Sequence, residues 1–259
     1  MRIAFFSDIH ANLPALEAVL ADMEQQDLDA VYCLGDLVGY APWPNEVVAE
    51  IRKRRIPTIA GNYDEGVGLG SSDCGCAYKT DFEKSLGQQS IEYTNSIVTE
   101  ETRNYLRMLP RHLRVTFMDN SDEANRMEML LVHGSPRKIN EYLFEDRPEK
   151  SFLRMMEEAQ ADFLFFGHTH KPFHRVLAYE RDGQTRYRHA VNIGSVGKPK
   201  DGDPRSCYVI VELTSESKLT DPESITVEFV RLAYDIEKAA KAIEKSSLPN
   251  EFAGMLRTA

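Results

Sequence analysis

Thiols, positive charge and long apolar runs are all scarce in this sequence, and each shortage narrows what the chain can be. Four cysteines stand among 259 residues. Cys33 and Cys207 lie in apolar, strand-like runs, the usual place for a small buried hydrophobe. Cys74 and Cys76 form a lone C-x-C in a Gly/Ser/Asp loop with no second pair to complete a zinc site, so metal or redox chemistry is not expected there. Acidic residues outnumber basic ones by 41 to 31, a formal net charge of −10. That balance argues against a general nucleic-acid binder, whose nonspecific affinity is built from many Lys and Arg contacts to phosphate. A phosphate-bearing substrate would need a metal or a few placed cations. In the opening "MRIAFFSDIH" a short apolar run meets a carboxylate at once, too soon for a signal-peptide core or a membrane span. A cytoplasmic chain with no membrane partner is expected. There is no internal repeat, no low-complexity segment, no G-x-S-x-G elbow and no phosphate-cradling G-x-x-x-x-G-K-[ST] loop.

What is present is an ordinary globular composition, 42% hydrophobic and 28% charged, enough for one large domain or a domain with an insertion. Strands alternate with helices, as an α/β layered fold requires. "RIAFFS" (2–7) reads as a strand and "NLPALEAVLADMEQQ" (12–26) as a helix, with Asn12 as N-cap and Pro14 in the first turn. Strand 30–35, helix 44–55 and strand 57–60 follow, and the chain then leaves strand three for a loop at Gly61-Asn62. From 64 to 110 the strand rhythm stops, and the segment reads as a polar loop and an inserted helical cap. The alternation resumes with strand 127–132, helix 148–160, strand 162–167, a hairpin turning at 181–184, strands near 206–213 and 225–231, and a final helix near 234–246. The expected organisation is a main domain over 1–232, with the 64–110 insertion, and a C-terminal helix and tail over 233–259.

The strand ends carry the chemistry. Strand one stops at Ser7-Asp8-Ile9-His10, strand two at Gly35-Asp36, strand three at Gly61-Asn62, the fourth at His133-Gly134 and the fifth at Gly167-His168-Thr169-His170. Ligand crevices of α/β sheets lie outside the carboxyl ends of strands, so these groups can converge. Singly each has an ordinary explanation as a turn, cap or surface residue. Together, in strand-end register, two Asp, one Asn and four His supply hard oxygen and borderline nitrogen donors without thiolate, a mix that suits Mn²⁺, Fe or Zn²⁺. Seven donors exceed one ion's needs, and a bridging carboxylate would give each of two ions four, the layout of a two-metal hydrolase.

The segments "SDIH", "GDLVGY", "GNYD", "HGSP" and "GHTH" resemble the five ordered motifs of the calcineurin-like metallophosphoesterase superfamily, and "NIGSVGKPKDGDPRSCYVIVEL" (192–213) resembles its small bacterial phosphodiesterase branch. The resemblance implies a four-layer α/β/β/α sandwich of two mixed sheets flanked by helices, with the strands of 173–231 supplying the second sheet. It implies one metal held by Asp8, His10, Asp36 and His170, and a second by Asp36, Asn62, His133 and His168, with Asp36 as the bridge. Two divalent transition-metal ions are expected, Mn²⁺ ahead of Fe, Zn or Ni. The implied reaction is hydrolysis of a small phosphoester, diesters ahead of monoesters, by attack of a metal-bridging hydroxide.

One residue departs from the pattern. The superfamily motif places a histidine after the metal-binding Asn, beside the leaving group, with the following acid orienting it; here Tyr63 replaces the imidazole and Asp64 keeps the acid. A phenol with a reference pKa near ~10 is a poorer proton donor than imidazolium at neutral pH. Tyr63 then donates to a phosphate oxygen, or His112 substitutes if the cap folds over, or catalysis is attenuated and the domain serves as a metal-ordered scaffold for a protein partner, or Tyr63 packs in the cleft wall. Asp36, Tyr63 and Asp64 are the catalytic candidates. Asn62 and Arg137 are the substrate-contact candidates, with Lys198 of "GSVGK" beside Arg137 as a possible phosphate contact. Protein phosphatases and dinucleoside-polyphosphate hydrolases usually carry Arg in the second motif, which "GDLVGYAP" lacks, so that branch is the lesser enzymatic alternative.

Overall fold

Strand β1 (Arg2–Phe6) is buried from Ile3 onward on both faces, so its sequence shows a continuous apolar run and no alternation. The computed structural model describes residues 1–78, 80–118 and 126–259. In the first sheet β1 lies between β2 (Ala30–Cys33), parallel to it, and β8 (Ser206–Glu212), antiparallel, with β9 (Thr226–Leu232) at the edge beyond β8. The second sheet runs β3 (His112–Phe117), β4 (Met127–Val132), β5 (Phe163–Phe166), β7 (Gln184–Asn192), β6 (Phe173–Arg181), with a parallel centre and antiparallel edges. Both sheets are mixed, as expected.

The two sheets face each other through one core. Ile3, Phe5 and Val209 of the first meet Met129, Leu131 and Phe165 of the second, and the rings of Phe5 and Phe165 stack at 4.1 Å. The other face of the first sheet carries Ala4 and Phe6 against α1 (Leu13–Met23) and α2 (Pro44–Lys53), and the other face of the second carries Leu164 and Phe166 against α6 (Glu149–Glu158). These are the four layers. Asn12 caps α1 through its side-chain oxygen, which accepts from the Ala15 amide at 3.3 Å.

Four expectations need correction. The hairpin β6–β7 and the late strands do not form one sheet. The hairpin completes the sheet of β4 and β5, while β8 returns to pair with β1, Ile3 opposite Val211. The expected strand at 57–60 is a single bridge, Cys33 to Thr58, because the chain turns into helix α3 (Asn62–Gly68) four residues later. Asn62 is therefore the first residue of a helix and not a loop residue. Strand β3 and helix α8 (Glu251–Thr258) are additional elements.

Within 64–110 the chain is helical as expected, with α4 (Asp81–Ile97) opened by a Thr80/Glu83 capping box and α5 (Glu100–Met108) capped by Thr99. Val67, Cys74, Ile91 and Leu106 from this segment join the core beneath α1 and α2. Helix α7 (Ile236–Glu244) and α8 pack together over Ala11, Ala41 and Leu86. Among the described residues no helix is long and apolar enough to cross a membrane.

Candidate metal centre

Glycine makes the convergence possible. The motif loops after β1, β2 and β5 approach so closely that a Cβ on Gly35 would lie 2.2 Å from the Gly61 nitrogen, one on Gly61 2.1 Å from Asp36 Oδ1, and one on Gly167 2.4 Å from Asp8 Oδ2. The turns also force the donors themselves out of the ordinary backbone regions. Asp8, His10, Asp36, His168 and His170 all have φ between 50° and 66°. Left-handed backbone at non-glycine residues costs roughly 1–2 kcal/mol each, and such strain gathers at functional sites where the surrounding fold over-determines it.

All seven expected ligands come together, buried. Asp8, His10 and His170 form one group and Asp36, His133 and His168 a second, each with its ligand atoms within 4.8 Å of one another. Asp36 Oδ2 lies 3.3 Å from His133 Nε2 and 3.6 Å from His10 Nε2, so one carboxylate oxygen faces both groups. Its other oxygen accepts the Tyr63 amide at 2.8 Å. Asn62 Oδ1 sits 3.1 Å from His133 Nε2, and its Nδ2 is held by the Cys74 carbonyl at 3.0 Å.

The imidazoles are oriented from behind. Nδ1 of His10 faces the Val38 carbonyl at 3.1 Å, Nδ1 of His133 the Leu34 carbonyl at 2.9 Å, and Nδ1 of His170 the Lys198 carbonyl. Donation from Nδ1–H to a carbonyl fixes the tautomer whose Nε2 lone pair points inward, the arrangement of a metal-binding histidine. Among the described residues Asp8 Oδ1 and His168 Nε2 are buried without a hydrogen bond, the His170 Nε2 lone pair facing Asp8 Oδ1 at 3.1 Å. Buried polar atoms are normally satisfied, so these two orphans, in an all N/O donor set, fit divalent transition-metal ions.

Electrostatics follows from the crowding. Burial would raise the Asp8 carboxyl, but His170, His10 and His133 hold it well below its ordinary value, and His133 and His10 do the same for Asp36. Burial opposes the His133 cation, yet Asp36 and Asp8 lift its pKa to about 10. His168 and His170 go the other way, pushed by burial to about 3. His168 and His170 therefore offer free lone pairs at neutral pH, whereas His133 would give up its proton only to a cation taking its place beside Asp36 and Asp8.

The remaining expected residues divide. Tyr63 is buried and lines the cavity of about 540 Å³ that opens over the donors, together with Tyr40, Tyr142 and Lys198. Its ring lies 4.8 Å from that of Tyr40 and fills the space that glycine leaves at Gly39, where a Cβ would come within 2.5 Å of it. Among the described residues its hydroxyl makes no hydrogen bond of ordinary geometry, and it sits beside the polar groups of Tyr40, Cys74 and Tyr78. Asp64 does not line the cavity. Its two oxygens accept the amides of Leu37 and Gly61 at 2.9 Å each, so it ties the second motif to the third and does not orient residue 63. Burial and the Asp36 charge raise it to about 7, against those two backbone bonds. Arg137 is ion-paired with Glu141 and lines a different groove, between β3 and α6, as does the exposed His112. Neither lines the cavity over the donors, although His133 borders their groove. Lys198 does line the cavity, buried, and burial pushes its ammonium well below the usual lysine range. Tyr40 and Tyr142 were not singled out by sequence. Tyr40 ends "GDLVGY" and so carried a positional signal, whereas nothing local marked Tyr142.

Two facing mixed sheets whose strand ends deliver paired Asp/His groups to one seam define a metal-centred α/β sandwich. The chain belongs to the calcineurin-like phosphoesterase superfamily, whose domain model matches residues 1–216. An uncharacterized protein of Methanocaldococcus jannaschii is 33% identical over 95% of this chain and 93% of its own length. A metallophosphoesterase from Sphaerobacter thermophilus is 28% identical and superposes with a TM-score of 0.70 over 100% of this chain and 98% of its own. A hypothetical protein from Pyrococcus horikoshii shares the fold with a TM-score of 0.76 and 24% identity, over 98% and 97% of the two chains.

Proposed function

We propose that this chain hydrolyses a small phosphoester, diesters ahead of monoesters, with two divalent ions, Mn²⁺ foremost. Asp8, His10, Asp36 and His170 would hold the first ion, and Asp36, Asn62, His133 and His168 the second. The observation that carries the reading is the pair of donor groups, with Asp36 of the second also facing His10 of the first, and with Asp8 Oδ1 and His168 Nε2 making no hydrogen bond among the described residues. Bound there, such ions lower the pKa of a coordinated water and neutralise charge developing on phosphoryl oxygens. The protein's own part is positional. Val38, Leu34 and Lys198 carbonyls aim three imidazoles, the Tyr63 amide leaves one Asp36 oxygen for sharing, and the Cys74 carbonyl turns the Asn62 oxygen inward. No nucleophilic side chain is required, in keeping with the missing elbow and phosphate-loop motifs.

A second reading, an attenuated metal-ordered scaffold for a protein partner, is favoured by one observation: the buried Tyr63 hydroxyl stands where the superfamily has its imidazole. Hydrolysis of bis(p-nitrophenyl) phosphate after chelation and Mn²⁺ reloading separates the two. Metal-dependent turnover in the parent, lost by about a hundredfold or more in Asp36→Asn, is expected from the scale of metal-assisted catalysis. A fully loaded parent that turns over neither this diester nor p-nitrophenyl phosphate sinks the enzymatic reading. A cytoplasmic location is proposed with it.

A further inference from the structure

We propose that Lys198 is the residue that grips the substrate's phosphoryl group, pairing its ammonium with a non-bridging oxygen from the wall of the cavity built by the 194–198 loop. The inference rests on the phosphoesterase reading and deepens it. Lys198 is 7% exposed, and it lines the cavity shared by His10, Asp36 and His170. Its ammonium lies 4.8 Å from the centroid of the Tyr40 ring, a cation–π contact that steers the group without neutralising it. Among the described residues no carboxylate forms an ion pair with it, whereas Arg137, in the other groove, is paired with Glu141. Lys171 and Lys200 also border the cavity, and the Lys200 charge acts on His168 and His170; Lys198 differs from both in being buried against the Tyr40 ring. A buried ammonium without an ion-pair partner is costly, so an anion brought into this cavity would stabilise the charged form of Lys198.

The backbone under Lys198 is fixed relative to the donors. Its amide donates to Ser195 Oγ at 2.9 Å, Ser195 Oγ donates to the Asp8 carbonyl at 2.8 Å, and the Lys198 carbonyl receives Nδ1 of His170. Gly197 donates to the same Asp8 carbonyl at 2.9 Å, and a Cβ there would fall 1.7 Å from the Ile9 carbonyl oxygen. The loop is therefore clamped on the first motif, and only a glycine permits the approach. Tyr63 brings no charge to a phosphoryl oxygen, whereas Lys198 supplies the cation from another wall of the same cavity.

The probe is inorganic phosphate, titrated calorimetrically into Mn²⁺-loaded parent, Lys198→Met and Lys198→Arg, with metal content and melting temperature measured on each. Removing one charge-assisted hydrogen bond is expected to weaken phosphate binding by about tenfold or more in Lys198→Met, with the metal retained and with Lys198→Arg recovering part of the loss. Binding within about twofold of the parent in a folded, loaded Lys198→Met overturns the proposal. Should that variant not fold, amine acetylation of the parent decides: phosphate is expected to protect Lys198, and unchanged labelling overturns the assignment. Diester turnover measured on the same samples keeps the two readings apart. A parent that binds phosphate through Lys198 without turnover retains this residue's role and loses the enzymatic one, and turnover indifferent to Lys198 does the reverse.

Discussion

In the proposed enzyme Tyr63 would occupy the place of the leaving-group acid without an imidazole. Its amide holds Asp36 and its ring fills the space over Gly39, so the backbone contribution of this motif residue is intact while the proton donor is not. Burial, with Tyr40 and the cysteines around it, raises its hydroxyl well above the ordinary phenol value, which makes it a hydrogen-bond donor and a still poorer acid. The consequence is a dependence on the leaving group. Aryl alcohols leave without protonation and alkyl alcohols do not, so Tyr63→His should raise kcat on an alkyl phosphodiester by about tenfold or more, towards the ~10²–10⁴ of general acid catalysis, and leave bis(p-nitrophenyl) phosphate nearly unchanged. Equal effects on both would mean that the imidazole does no proton transfer here. The seven donors were legible in the sequence because they cluster just after apolar runs, four of them directly after a glycine or serine. Arg137 was not, since its pairing with Glu141 depends on how the loop after β4 closes, which no local pattern reports.

At the scale of elements, the β6–β7 hairpin carries a titration of its own, remote from the donors. His189 is fully buried, stacked at 4.8 Å on Phe163, with Nδ1 3.0 Å from His174 Nε2 and its own Nε2 unpartnered. Burial, with His174 beside it, pushes its pKa to about 3. A histidine depressed in the folded state binds fewer protons than the unfolded chain between about 3 and the reference value near ~6.5, so stability falls as pH drops through that window. His189→Gln, which does not titrate, should flatten the pH dependence of the urea midpoint between about pH 6.5 and 4. An unaltered slope would assign the acid sensitivity to other groups. Elements were legible where a continuous run is long, as in β1 and β4. "PTIA" misleads because β-branched residues also suit the single bridge that precedes α3, whereas β3 was legible in the polar/apolar alternation of "HLRVTF" and was passed over between the helical insertion and β4. Sheet membership was illegible for a simpler reason. β7 and β8 end and begin with similar buried runs, and only the return of β8 to β1 decides which sheet each joins.

On the scale of the whole molecule, the donor cluster lies across the seam between the sheets. Asp8 and Asp36 follow β1 and β2 of one sheet, while His133, His168 and His170 follow β4 and β5 of the other. The two groups of donors would hold metal ions across two layers that otherwise meet through apolar packing, and such ions would relieve a centre in which two buried carboxylates sit among histidines. Ligands that bind only the folded state add RT ln(1 + [L]/Kd), about 2.7 kcal/mol at a hundredfold excess over Kd. For a chain of 259 residues that corresponds to a rise in Tm of roughly 5–10 °C. Because the ligands come from both sheets, the whole transition should shift as one, with no separate low-temperature step for a single sheet. Calorimetry of chelated protein with and without Mn²⁺ reads this directly, and Asp36→Asn, lacking the shared carboxylate, should lose most of the shift. A metal that binds by elemental analysis yet leaves Tm unmoved would place it outside the seam, and the two-sheet clamp would have to be abandoned along with the shared role of Asp36.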